Sequence, residues 1–117
     1  MKRLKFFLIG LCLALPCTAA FGQAFSGIYQ YINITTQTTT LIRTGNGVLH
    51  TVCFNKPTAA GTVAIYDGIT AASGTLIGTI TVQSSPQPGC LAYDVQYGTG
   101  LTIVTATASS DITVSYR

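Results

Sequence analysis

In the stretch GVLHTVCFN, residues 47–55, the single histidine of the chain, His50, stands close before Cys53. Those residue types serve as base and nucleophile in covalent catalysis, or as two ligands of a zinc site. Either use imposes geometry. If residues 48–54 form a regular strand, Val48, His50, Val52 and Phe54 share one face, and Leu49, Thr51 and Cys53 share the other. A base must lie within hydrogen-bond reach of its nucleophile, and opposite faces of one strand forbid that. Turning Leu49, Val52 and Phe54 inward together would require a bulge. No acid that could orient the histidine lies near it in sequence.

Other chemistry is thin. One histidine and the pair Cys53 and Cys90, with three aspartates far apart, match no metal-ligand spacing, so no metal and no cofactor is expected. The chain contains no Glu, and Asp67, Asp94 and Asp111 each stand at a turn or strand end. Asp67 before Gly68 reads as turn chemistry. GNG at 45–47 and GTG at 98–100 open no helix, so neither is a phosphate-binding loop. Asn33-Ile34-Thr35 fits a glycosylation acceptor in a host that uses that pathway. Among the six tyrosines, Tyr29, Tyr31, Tyr66, Tyr93 and Tyr97 are the candidate binding or interface residues. They would stack on carbohydrate or line a protein contact, and the absence of Trp weakens the first use.

The elements that position these residues are strands. Thr, Val, Ile and Tyr dominate, and Gly, Pro, Asn, Asp and Ser punctuate them at short intervals. Candidate strands cover 29–35, 38–44, 47–55, 61–67, 75–82, 90–97, 101–107 and 111–117. Val63 and Ile65 alternate with Thr62, Ala64 and Tyr66, and Ile112, Val114 and Tyr116 alternate with Thr113 and Ser115. Period two marks a sheet with one buried face. The pattern predicts an all-β chain, a single small antiparallel β-sandwich of about eight short strands, jelly-roll or immunoglobulin-like. Gly45-Asn46-Gly47 predicts a hairpin. The run ITTQTTT at 34–40 has two readings, a flexible linker or the solvent face of a strand pair, and Thr favours the strand.

Residues 1–24 differ in kind. MKRLK carries three positive charges, the apolar run FFLIGLCLAL follows, and Pro16 breaks it before small residues leading to Gly22-Gln23-Ala24. That is the layout of a secretory signal peptide. A membrane-spanning helix needs ~20 apolar residues, so no stable span is expected after cleavage. The expected organisation is a signal peptide at 1–24, an N-terminal arm or first strand at 25–37, and a β-sandwich domain at 38–117.

Cleavage changes the charge arithmetic. Of six basic residues, Lys2, Arg3 and Lys5 lie in the signal, leaving Arg43, Lys56 and Arg117 against three aspartates, a net charge of zero. Nucleic-acid binding rests on clustered Lys and Arg, so a nucleic-acid partner is excluded. An uncharged surface resists association poorly and suits a protein packed against neighbours. Cys53 and Cys90 remain after cleavage. An export signal with an even cysteine count points to a Cys53–Cys90 disulfide, two free buried thiols being the alternative.

The run LIRTGNGVLHTVCFNKPTAAGTVAIYDGITAASGTLIGTI, with YDVQYGTGLTIVTATASSDITVSYR after it, resembles a family of small β-sandwich proteins from tailed-phage structural gene clusters. The resemblance covers roughly residues 39–117 and rests on turn and strand residues. It implies a non-enzymatic, capsid-decorating or head-associated role on a virion surface, with protein partners and no catalytic residues to carry over. A phage capsid assembles in the cytoplasm, where a secretion signal and a disulfide are out of place. Either residues 1–24 form an uncleaved apolar arm, or the domain serves an envelope or cell surface. The alternative function is therefore a secreted bacterial surface or periplasmic module, an adhesin or a carbohydrate binder using its tyrosines.

Overall fold

The computed structural model describes residues 28–117, so the signal-peptide expectation for 1–24 lies outside the described residues. Eight strands follow: β1 (Gln30–Ile34), β2 (Thr38–Thr44), β3 (Gly47–Lys56), β4 (Thr62–Asp67), β5 (Thr75–Thr81), β6 (Gly89–Tyr97), β7 (Gly100–Ala106) and β8 (Asp111–Tyr116). Each agrees with its sequence-derived range to within one residue at either end. No helix occurs among the described residues.

The strands form two four-stranded antiparallel sheets, ordered β1-β8-β3-β6 and β2-β7-β4-β5. Every connection except β4–β5 crosses from one sheet to the other. This is the jelly-roll arrangement, and it removes the immunoglobulin-like alternative, in which the sheets are assembled as ABED and CFG. The central strands supply most of the core. Leu49, Val52, Ile112 and Val114 of the first sheet, and Ile65, Leu101 and Ile103 of the second, are fully or almost fully buried. Each such side chain stabilises the fold by roughly 1.5–3 kcal/mol relative to exposure.

Two local expectations are corrected by this topology. Gly45-Asn46-Gly47 is not a hairpin, because β2 and β3 belong to different sheets. It is a corner between sheets, with Gly45 at φ 88° and its N–H donated to the Thr99 carbonyl at 2.8 Å. The run 34–40 is not a linker, and the strand reading holds only for its last three residues, Thr38 to Thr40, which pair with β7 and leave Thr38 and Thr39 exposed. Ile34 ends β1, Thr38 opens β2, and the chain between them changes sheet. The buried Thr105 hydroxyl latches that corner, donating to the Thr36 carbonyl at 2.6 Å and accepting from the Thr38 N–H at 2.9 Å.

Irregularities are unevenly distributed. β3 carries an extra residue at His50 relative to β8, since Leu49 pairs with Tyr116 and Thr51 with Ser115. β6 carries an extra residue relative to β3, since Leu49 pairs with Val95 and Thr51 with Ala92. β2 is irregular between Leu41 and Arg43, and β5 bulges opposite Ile65 and Tyr66. β1 alone among the edge strands pairs without interruption, from Gln30 to Ile34.

Candidate functional site

The bulge at His50 decides which side chains meet. It turns Leu49, Val52 and Phe54 inward together, at 0%, 0% and 7% exposure, and leaves His50 on the outer face with Thr51 and Cys53. The regular-strand parity expected for residues 48–54 is therefore wrong: His50 does not share a face with Val52 and Phe54. Across the ladder, Asp94 is not at a strand end as expected but inside β6, in the matching bulge with φ 49°. That left-handed conformation is one that Asp tolerates better than most residues. It aims the carboxylate at the histidine, and Nδ1 of His50 meets Oδ1 of Asp94 at 2.5 Å. The acid missing from the neighbourhood of His50 in sequence is thus supplied from a residue 44 positions away.

A histidine oriented by a carboxylate is two-thirds of a catalytic triad, but the thiol is not free. Cys53 and Cys90 are register partners on β3 and β6, and their sulfurs are bonded. The disulfide and the His50–Asp94 pair both tie β3 to the edge strand β6. The imidazole is further engaged by Tyr29, whose ring stacks on it with centroids 4.1 Å apart and planes 14° apart. The Arg117 guanidinium lies over Tyr29, 5.4 Å from its centroid. A sugar ring stacking on Tyr29 would have to displace one of these neighbours.

The tyrosines do not form one surface, which corrects their reading as a set. Tyr29 and Tyr31 lie on the outer face of the first sheet, Tyr31 being 75% exposed. Tyr66 belongs to β4 in the second sheet. Tyr93 packs against the core from β6, and burial pushes its pKa up. Tyr97 is 1% exposed, donates its hydroxyl to the Arg117 carbonyl at 3.2 Å, and is likewise pushed up by burial.

The remaining aspartates hold the frame. Oδ1 of Asp111 accepts from the amides of Asn33 at 2.6 Å and Asn55 at 2.9 Å, tying β8 to β1 and β3. The hydrogen bonds from Asn55 and Asn33 lower its pKa, with the charge of Lys56 adding to the effect. The same contacts engage the Asn33 amide on which glycosylation would act. Asp67 does not serve its own turn. It caps the β6–β7 turn, accepting from the N–H groups of Gly98 and Thr99 at 2.8 Å and Gly100 at 3.3 Å, which lower its pKa.

Clefts open on the surface of the described residues. One of about 500 Å³ is lined by Asn46, Val48, Gln96, Tyr97 and Arg117, and one of about 320 Å³ by Phe54, Pro57, Ile80, Val82 and Leu91, among others. His50 and Asp94 line neither. Among the described residues no three His, Cys, Asp or Glu side chains converge as a metal site, and no helix is long and apolar enough to cross a membrane. Neither a protein-family model nor a curated protein matches the chain.

Proposed function

We propose that the chain is a non-enzymatic structural protein, an assembly-forming jelly roll displayed on a phage virion surface. The observation that carries the assembly reading is the placement of exposed apolar side chains. Tyr31, Leu41, Leu76 and Leu91 put one on each of the edge strands β1, β2, β5 and β6, and none of the large exposed apolar residues lies on a central strand. An apolar rim on a chain whose described residues balance three cations with three anions suits lateral packing against neighbours. The virion setting rests on the resemblance of residues 39–117 to tailed-phage structural proteins. Jelly rolls recur in viral capsids but also in lectins and cupins, so the fold supports the setting without selecting it.

A second reading, an exported surface or periplasmic module, is favoured by the outward-facing disulfide together with the signal-like residues 1–24. Intact-mass measurement on protein taken from purified particles and from the periplasm separates the two. Particle-bound chains that retain Met1 are expected for the virion role. Chains recovered only outside the cytoplasm, beginning near residue 25, would replace it with the export reading.

A further inference from the structure

We propose that β1 is a self-association edge, through which two copies of this chain join their first sheets about a two-fold axis at Ile32. The inference rests on the reading of the chain as an assembly-forming module and names its contact. Natural edge strands are blunted by charges, proline or bulges. β6 is interrupted by the bulge at Asp94, β2 is irregular at Leu41–Arg43 and carries Arg43, and β5 is bulged. β1, with sequence QYINI, has none of these devices.

The direction of its free backbone groups follows from the ladder. Arg117 and Val48 exchange both of their hydrogen bonds, Val48 N–H to Arg117 O at 2.7 Å and Arg117 N–H to Val48 O at 2.9 Å. In an antiparallel ladder successive residues point their polar groups to opposite sides. Along β8, Arg117, Ser115 and Thr113 therefore address β3, while Tyr116, Val114 and Ile112 address β1. Their partners Gln30, Ile32 and Ile34 use their N–H and C=O groups on β8. Tyr31 and Asn33 direct theirs to the open edge.

That pattern is self-complementary. With a second copy antiparallel about Ile32, Tyr31 stands opposite Asn33 of the second copy and Asn33 opposite its Tyr31. All the outward groups of both residues then pair, forming four N–H···O bonds. Ile32 faces Ile32, and no like charges are opposed, which would otherwise disfavour the pairing. The exposed ring of Tyr31 lies along the seam.

Sedimentation velocity on the full chain over a concentration series tests this, with Tyr31→Pro and Tyr31→Lys as variants. Proline removes an outward donor and is tolerated on an edge strand whose N–H faces away from the ladder, while lysine places like charges along the seam. The expected result is a wild-type monomer–dimer equilibrium whose dissociation constant rises at least about tenfold in each variant, with an unchanged circular-dichroism spectrum. Should the proline variant unfold, the lysine variant and amide exchange decide. The Tyr31 and Asn33 amides are expected to gain protection as concentration rises. A wild-type monomer at every concentration would overturn the proposal, as would protection independent of concentration, the sign that the chain's own residues 1–27 cover the edge. A dimer indifferent to both variants would overturn the β1 contact while leaving assembly itself standing, and particle association is read separately by mass.

Discussion

His50 and Asp94 meet where the β3–β6 ladder is broken, Nδ1 to Oδ1 at 2.5 Å. The contact spans the residues at which backbone pairing lapses, so a side-chain link stands in for the interrupted ladder. Their side chains remain 35% and 60% exposed. Pairs of that kind contribute about 0–1 kcal/mol, so His50→Ala is expected to lower the stability measured by urea unfolding only modestly.

Asp94 itself allows a sharper comparison. At φ 49° a non-glycine residue bears about 1–2 kcal/mol of steric cost, from which glycine is exempt. Asp94→Gly and Asp94→Ala lose the same contact with His50, yet the glycine variant is expected to be the more stable by about 1 kcal/mol. Equal urea midpoints would show that the bulge relaxes in the alanine variant.

The Cys53–Cys90 disulfide closes a loop with a sequence separation of 37. On the chain-entropy model that stabilises the fold by about 3–4 kcal/mol, a large share of the total for a domain of this size. Unfolding with and without reductant is expected to show that difference. Alkylation under denaturing conditions should add two more labels after reduction than before it, both on the peptides that carry Cys53 and Cys90.

Asp67 predicts a pH dependence with a definite sign. Its pKa is lowered below the ordinary 3.8 by the backbone N–H groups of Gly98, Thr99 and Gly100. A depressed carboxylate contributes stability above the unfolded-state pKa and loses it as pH falls through the folded-state value. Asp67→Ala is expected to destabilise on the order of 1 kcal/mol at neutral pH, allowing for solvent screening. The gap should narrow below about pH 3.8. Thermal melts of both proteins across that range check it.

Gly47 and Gly45 separate crowding from backbone conformation within one corner. A Cβ at Gly47 would collide with the Arg117 carbonyl and the Tyr97 hydroxyl, whereas at Gly45 it would meet open space at φ 88°. Gly47→Ala is expected to cost about 1–3 kcal/mol by overpacking, and Gly45→Ala about 1–2 kcal/mol through its left-handed backbone. Only the first should loosen the burial of Tyr97, read by NMR of its assigned ring resonances.

The strands were legible because period-two alternation is local: Val63 and Ile65, or Ile112 and Val114, announce their inward face within a few residues. Sheet membership was not, because Gly45-Asn46-Gly47 carries the same turn chemistry whether the next strand returns beside the last or crosses to the other sheet. The site was missed for a related reason. His50 and Asp94 approach only through paired bulges, and a bulge is set by three strands in register rather than by residues near the histidine. Cys53 and Cys90 were legible as a pair because an even cysteine count beside a signal-like segment suggests covalent partnership without any knowledge of strand order.

The pairing of β1 with β8 joins Ile34 to Ile112 and Gln30 to Tyr116, the most widely separated strands of the fold. Contacts so remote in sequence form slowly, because the closure entropy of the intervening chain precedes any gain from them. The first sheet therefore stays incomplete until β8 has been synthesised, and until then β1 has no strand to join. A chain in that condition leaves both edges of β1 unpaired, so copies still being made are open to joining one another before either is complete.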